Sequence, residues 1–170
     1  ISWNAHAYYT FHPTGPDRMA FDRTRDGMMT VFREPKRGLM WYPSELRPEP
    51  CLYVEDQWRE GVKELAVYSN AEEVELILNG APFMKQKPSD DPRYEGLDHP
   101  PFLFHIEQFT PGTLVVNALC DGKVIASRTL RTPEEPRRLT LTLDTEGRTW
   151  RADGSDIVVG YAHVVDRNGT

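Results

Sequence analysis

The side chains that most often carry chemistry are present here at spacings that do not assemble a site. The five histidines, His6, His12, His99, His105 and His163, show neither the HxxxH nor the HxH spacing that aims two imidazoles at one metal, so no metal site is expected. The acidic pairs Glu72-Glu73 and Asp90-Asp91 lack the ligand spacing of a calcium loop and read as solvated charge. Cys51 and Cys120 belong to no CxxC or Cys/His cluster. An inter-sheet disulfide is conceivable for them, but two free, buried thiols are the favoured expectation. Asn168-Gly169-Thr170 matches a glycosylation acceptor, which carries meaning only in a secreted eukaryotic protein.

Bulk properties narrow the classes further. Acidic residues exceed basic ones by 26 to 20, for a net charge of −6, and the Lys and Arg residues are scattered without a basic stripe. Nucleic acid is therefore not an expected partner. An apolar content of 39% with 11% aromatics is that of a folded protein. No apolar run is long enough to span a bilayer as a helix, and no signal peptide is visible at Ile1. With 170 residues the chain holds one full domain and part of another, but not a (β/α)₈ barrel of about 250 residues.

The elements that would position any site are mostly strands. Residues 1–25 combine aromatics, prolines and a glycine, which fits one short strand and a long loop. Pro35 suits the first turn of a helix running through Leu39, Met40 and Trp41, and Pro43 is expected to kink or stop it. Ser44 could cap a further short turn. Pro48 and Pro50 then form a linker, after which the hydrophobic period changes to that of strands.

Leu65 and Val67, then Val74, Leu76 and Leu78, alternate with polar neighbours. Asn79-Gly80 is a turn dipeptide, and the polar, proline-rich stretch 85–98 reads as a loop with a short strand at most. Phe102, Phe104 and Ile106 alternate again. Leu114, Val116, Ala118 and Cys120 lead into Asp121-Gly122, from which residues 123–130 return, the strongest hairpin signal in the chain. This spacing predicts an antiparallel sandwich of about seven strands. Thr132 to Pro136 forms a second linker. Beyond it, Leu139, Leu141 and Leu143 alternate with threonines, the segment 152–156 turns, and 157–165 makes a long apolar strand. About three strands cannot close a sandwich, so an incomplete unit with an exposed edge is expected.

These residues resemble the C-terminal region of glycoside hydrolase family 2, the β-galactosidase-like group. Residues 1–47, with Trp3, Asp26-Gly27 and Arg33-Glu34-Pro35-Lys36, look like the last strand, loop and helix of the catalytic (β/α)₈ barrel. Residues 48–132 are similar to the family's immunoglobulin-like domain, on Ser69-Asn70, Val74-Glu75-Leu76, Leu78-Asn79-Gly80, His99-Pro100-Pro101-Phe102 and Pro111-Gly112-Thr113-Leu114. Residues 133–170, with Ala152-Asp153-Gly154-Ser155-Asp156, resemble the start of a further bacterial immunoglobulin-like module. The fold class so implied is mainly β, with a barrel remnant ahead of one sandwich and a partial second sandwich after it.

The resemblance implies a parent enzyme that retains anomeric configuration, using two carboxylates about 5–5.5 Å apart across the glycosidic bond. Both come from earlier barrel strands, and this sequence holds no Asn-Glu pair to supply the acid/base. No catalytic residue is therefore expected in the chain. Ser44-Glu45 superficially matches the surroundings of the family's nucleophile, but follows the terminal helix, and Glu45 reads as a solvated surface charge. The eighth strand of such a barrel ends at the catalytic face, which makes Trp3, Asn4 and His6 the candidates for substrate contact. Trp3 either stacks on a sugar or packs inside the barrel.

No cofactor is implied. The implied partners are a carbohydrate, met through the parent barrel, and the remainder of the parent enzyme, with homo-oligomer formation left open. A bacterial periplasmic or extracellular location is favoured for the parent over a cytoplasmic one. Two alternatives stay open: a stand-alone carbohydrate-binding or adhesive β-module, and the same family acting on β-mannosides or β-glucuronides.

Overall fold

The computed structural model describes residues 9–13, 19–23, 28–29, 35–54, 57–145, 147, 149, 151, 153–156 and 158–170, with backbone alone at 9–13, 19–23 and 37. It is mainly β, and every strand pair within it is antiparallel.

The first elements are a hairpin and a helix. Strands β1 (Tyr9–Pro13) and β2 (Met19–Arg23) pair from Tyr9 opposite Arg23 to Pro13 opposite Met19. A strand and a long loop were the expectation here. The prolines disguise the pair, since a proline at the end of a two-stranded ribbon removes no central ladder bond.

Helix α1 spans Arg37–Leu46 and runs through Pro43 instead of stopping there. Pro43 lies in the second half of the helix, where its missing donor costs a single intrahelical bond, and the Arg47 N–H still closes the last turn on the Pro43 carbonyl at 3.1 Å. Ser44 does not cap a new turn. It is fully buried, and its hydroxyl donates back to the Trp41 carbonyl at 2.7 Å, a back-bond that serves a buried hydroxyl inside a helix.

A two-layer sandwich follows, as its alternating pattern predicts. One sheet has three strands in the order β3 (Leu52–Val54), β4 (Glu64–Ser69), β7 (Phe102–His105). The other has four, ordered β6 (Ala81–Gln86), β5 (Glu73–Leu78), β8 (Thr113–Cys120), β9 (Lys123–Arg131). Leu65, Val67, Phe102 and Phe104 from the first sheet meet Val74, Leu76, Leu114 and Val116 from the second, all without solvent exposure. Burying each such side chain contributes about 1.5–3 kcal/mol. Trp58 joins this core and donates its indole N–H to the Thr110 carbonyl at 2.9 Å.

Both expected turns take the conformation that their residues favour. Asn79 and Gly80 have φ of 53° and 82°, and Asp121 and Gly122 have 49° and 71°, the paired positive φ that matches hairpin twist. Residues 81–86 form a full strand, whose last two residues fall in the stretch expected to be a loop with a short strand at most. Pro82 is tolerated within it because β6 is the edge of its sheet, beside an irregularity opposite Leu76 and Ile77.

The last two strands, β10 (Arg138–Asp144) and β11 (Val159–Val165), make a separate antiparallel pair. Two strands are described, against an expected three. Leu139 stands opposite Val164 and Leu141 opposite Ala162, so the leucines of β10 share one face. That face is open: Leu139 is 74% exposed and Leu141 68%.

Candidate functional site

The residues expected to meet substrate, Trp3, Asn4 and His6, lie outside the described residues. Among the described residues no group of three or more His, Cys, Asp or Glu side chains could hold a metal ion. Cys51 and Cys120 are free thiols, the first buried and the second half-buried. The polar side chains concentrate their bonds elsewhere, at the junction between α1 and the sandwich.

Glu45 is the clearest correction to the sequence reading. It is not a solvated charge but a half-buried anchor, whose carboxylate accepts the His99 N–H at 2.6 Å and the Asp98 N–H at 3.1 Å. Hydrogen bonds to an ionised acceptor are about twice as strong as neutral ones. The backbone entering His99-Pro100-Pro101-Phe102 is therefore fixed to the helix, and Phe102 enters the core directly after it. His99 contributes to this turn through its backbone N–H.

Asn70 fastens the other end of the junction. Its amide donates to the carbonyls of Glu49 at 2.9 Å and Arg47 at 3.1 Å, while its carbonyl oxygen accepts the Cys51 N–H at 3.0 Å. Ser69 donates to the Cys51 carbonyl at 2.6 Å. Two adjacent side chains thus bond the backbone of 47–51, the segment between helix and sandwich. A rotatable polar link becomes a fixed one, because a backbone bound at successive groups has few φ/ψ alternatives. Ala66, on the face of β4 opposite Leu65 and Val67, is buried as well, consistent with α1 lying against that strand.

A second clamp sits at the far side of the sandwich. Asn79 accepts the Thr113 N–H at 2.9 Å and donates to the Pro111 carbonyl at 3.1 Å. Gly112 lies between them at φ +141°, where a Cβ would fall within the envelope of the Asn79 side chain. Only glycine fits both the backbone conformation and the close approach.

Several other acidic residues are engaged in bonds of their own. Glu72 accepts the Asp121 N–H at 2.9 Å, and Glu73 pairs with Lys85 at 2.7 Å, which lowers its carboxyl pKa. Asp91 caps the short turn Pro92–Tyr94 and pairs with Arg93 at 2.7 Å. The Arg93 guanidinium holds the Asp91 carboxyl down to about 2. Asp166, buried at the end of β11, accepts the backbone N–H groups of Glu134 at 2.9 Å, Thr170 at 2.9 Å and Asn168 at 2.8 Å. These bonds, that from Glu134 first, lower its pKa. Nothing in this constellation sets two carboxylates across a cleft; it holds backbone.

Residues 60–126 match the family model described as a domain of unknown function, DUF4982. The chain is 30% identical over 161 residues to a β-galactosidase of Thermoanaerobacter pseudethanolicus, covering 85% of this chain and 21% of that protein. It is 29% identical over 147 residues to the β-galactosidase BoGH2A of Bacteroides ovatus, covering 84% of this chain and 16% of that protein. Among solved structures, a β-glucuronidase from glycoside hydrolase family 2 superposes with a TM-score of 0.72 at 26% identity, over 87% of this chain and 15% of the other. The chain thus spans a fifth or less of the length of most of these relatives. In sequence and in the arrangement of its sheets, this chain is similar to a β-rich portion of glycoside hydrolase family 2 enzymes.

Proposed function

We propose that this chain is the C-terminal portion of a retaining, β-galactosidase-like glycoside hydrolase whose parent cleaves terminal β-glycosidic bonds. In this reading residues 1–47 end the catalytic barrel, 48–132 form an immunoglobulin-like buttress, and 133–170 begin a second β-module. Trp3, Asn4 and His6 would contribute to the sugar site, and the catalytic carboxylates lie in the rest of the parent. The observation that supports a scaffolding role is the double fastening of α1 to the sandwich through Glu45 and Asn70. It serves to hold one unit rigidly against another, and does no bond-breaking of its own.

The open leucine face of β10 supports the third unit, since a two-stranded ribbon is marginal in water until something covers its apolar side. Similarity to a β-glucuronidase of Formosa agariphila, 27% identical over 146 residues, favours a second reading in which the parent's substrate is a β-glucuronide.

Assays of the parent and of this chain with aryl β-galactosides and aryl β-glucuronides test the proposal. Turnover by the parent with retained anomeric configuration, and none by the 170-residue chain, is expected. Turnover by this chain after removal of host β-galactosidase, or an inverted product from the parent, would overturn it.

A further inference from the structure

The chain contains two Asn-Gly pairs, Asn79-Gly80 and Asn168-Gly169, and the structure treats them in opposite ways. Asn-Gly is the dipeptide at which the following backbone nitrogen most readily reaches the side-chain amide carbon, because glycine offers no Cβ to obstruct the approach. We infer that Asn168 is a site of spontaneous deamidation and that Asn79, with the same neighbour, is protected by its clamp.

The step is a ring closure followed by hydrolysis. The Gly169 nitrogen loses its proton and forms a bond to Asn168 Cγ, and the side-chain nitrogen leaves as ammonia. Water then opens the five-membered imide at either carbonyl, giving aspartate or isoaspartate. No oxidant or reductant is required.

At Asn79 this path is closed by three bonds. The side chain accepts from Thr113 N–H at 2.9 Å and donates to the Pro111 carbonyl at 3.1 Å, while the Asn79 N–H is held by the Thr113 carbonyl at 2.9 Å. Turning Cγ toward Gly80 breaks both side-chain bonds, and two bonds of about 0.5–1.5 kcal/mol each correspond to about 5- to 160-fold in rate.

Asn168 has no such restraint. It is exposed, its side-chain amide makes no hydrogen bond among the described residues, and the attacking Gly169 N–H makes a long 3.3 Å bond to the Asp166 carbonyl and also faces the Asp166 carboxylate. Its backbone N–H donates to Asp166 Oδ1. Isoaspartate at this position lengthens the main chain by one carbon within the loop that Asp166 gathers, and so loosens the turn closing β11.

Incubation of the folded protein at mildly alkaline pH, followed by peptide mapping and isoaspartate labelling with a methyltransferase, reads both sites together. Asn168 should convert about 5- to 160-fold faster than Asn79, and the ratio should collapse toward one in denaturant, where neither clamp nor turn exists. Asn168→Gln should abolish the fast product without affecting the slow one. Equal native rates at the two sites, a faster Asn79, or a ratio unchanged by denaturant would overturn the inference.

Discussion

Glu45 and His99, 54 positions apart in the chain, are joined by a carboxylate-to-backbone hydrogen bond of 2.6 Å. That bond makes the end of α1 and the entry to β7 one mechanical unit. Glu45→Ala leaves the N–H groups of Asp98 and His99 with water or nothing, and should cost about 1–2 kcal/mol. Glu45→Gln keeps one acceptor, now neutral, and should cost less than Glu45→Ala. Urea unfolding of the two variants checks the order, and equal stability of Glu45→Ala and the parent sequence would return Glu45 to the role of a surface charge.

Asn79 and Gly112 should behave as one element. Gly112→Ala places a methyl group against the Asn79 side chain at a φ that disfavours any residue but glycine, and should destabilise by about 2 kcal/mol or more. Asn79→Ala removes both clamp bonds for about 1–2 kcal/mol. Because the second change also removes the obstacle that Gly112→Ala meets, the double variant should lose less than the two single losses added together. Strict additivity in denaturant midpoints would show that the clash is relieved in some other way.

The sandwich was legible in the sequence because its core residues alternate and its turns use Asn-Gly and Asp-Gly. Val74, Leu76 and Leu78, or Leu114 and Val116, can be assigned to the inner face from period alone. The strand β6 was not legible, since Pro82 looks like a breaker until the strand is known to be an edge. Helix α1 was read too short for a related reason: the cost of Pro43 depends on its position in the helix. The junction was the least visible feature. Glu45 reaches Asp98 and His99 across more than fifty residues, and no local pattern marks an acidic side chain that will meet a distant backbone. Ser69-Asn70 was visible only as part of a family resemblance, and the structure supplies its reason in the bonds to 47–51.

Acid should reach the turn at Pro92–Tyr94 late. Arg93 holds the Asp91 carboxyl down to about 2 in the folded protein, against about 3.9 for an unperturbed aspartate. A folded-state pKa below the unfolded one means that the pair's contribution is complete above about pH 4–5, and is lost as the pH falls toward 2. NMR titration of the Asp91 side chain should give a midpoint well under that of a model aspartate. Arg93→Ala should return the midpoint toward the ordinary value; a midpoint unmoved by that substitution would remove Arg93 as its cause.

The leucine face of β10 makes opposite predictions for this chain and for a longer parent. Here Leu141 is 68% exposed, so Leu141→Lys removes little buried area and should change the unfolding free energy by less than about 0.5 kcal/mol. It should also reduce binding of an apolar dye, because an exposed row of leucines is a surface that such probes find. In the parent, if a second sheet covers the ribbon as proposed, the same lysine would be forced into an apolar layer without a partner. Burial of an unpaired charge and loss of a leucine contact together should then cost several kcal/mol. Proteolysis of the segment after residue 133, followed in both forms, separates the cases: accelerated cleavage in the substituted parent with no change in the chain is expected. Equal tolerance in both would mean that the face stays open to water.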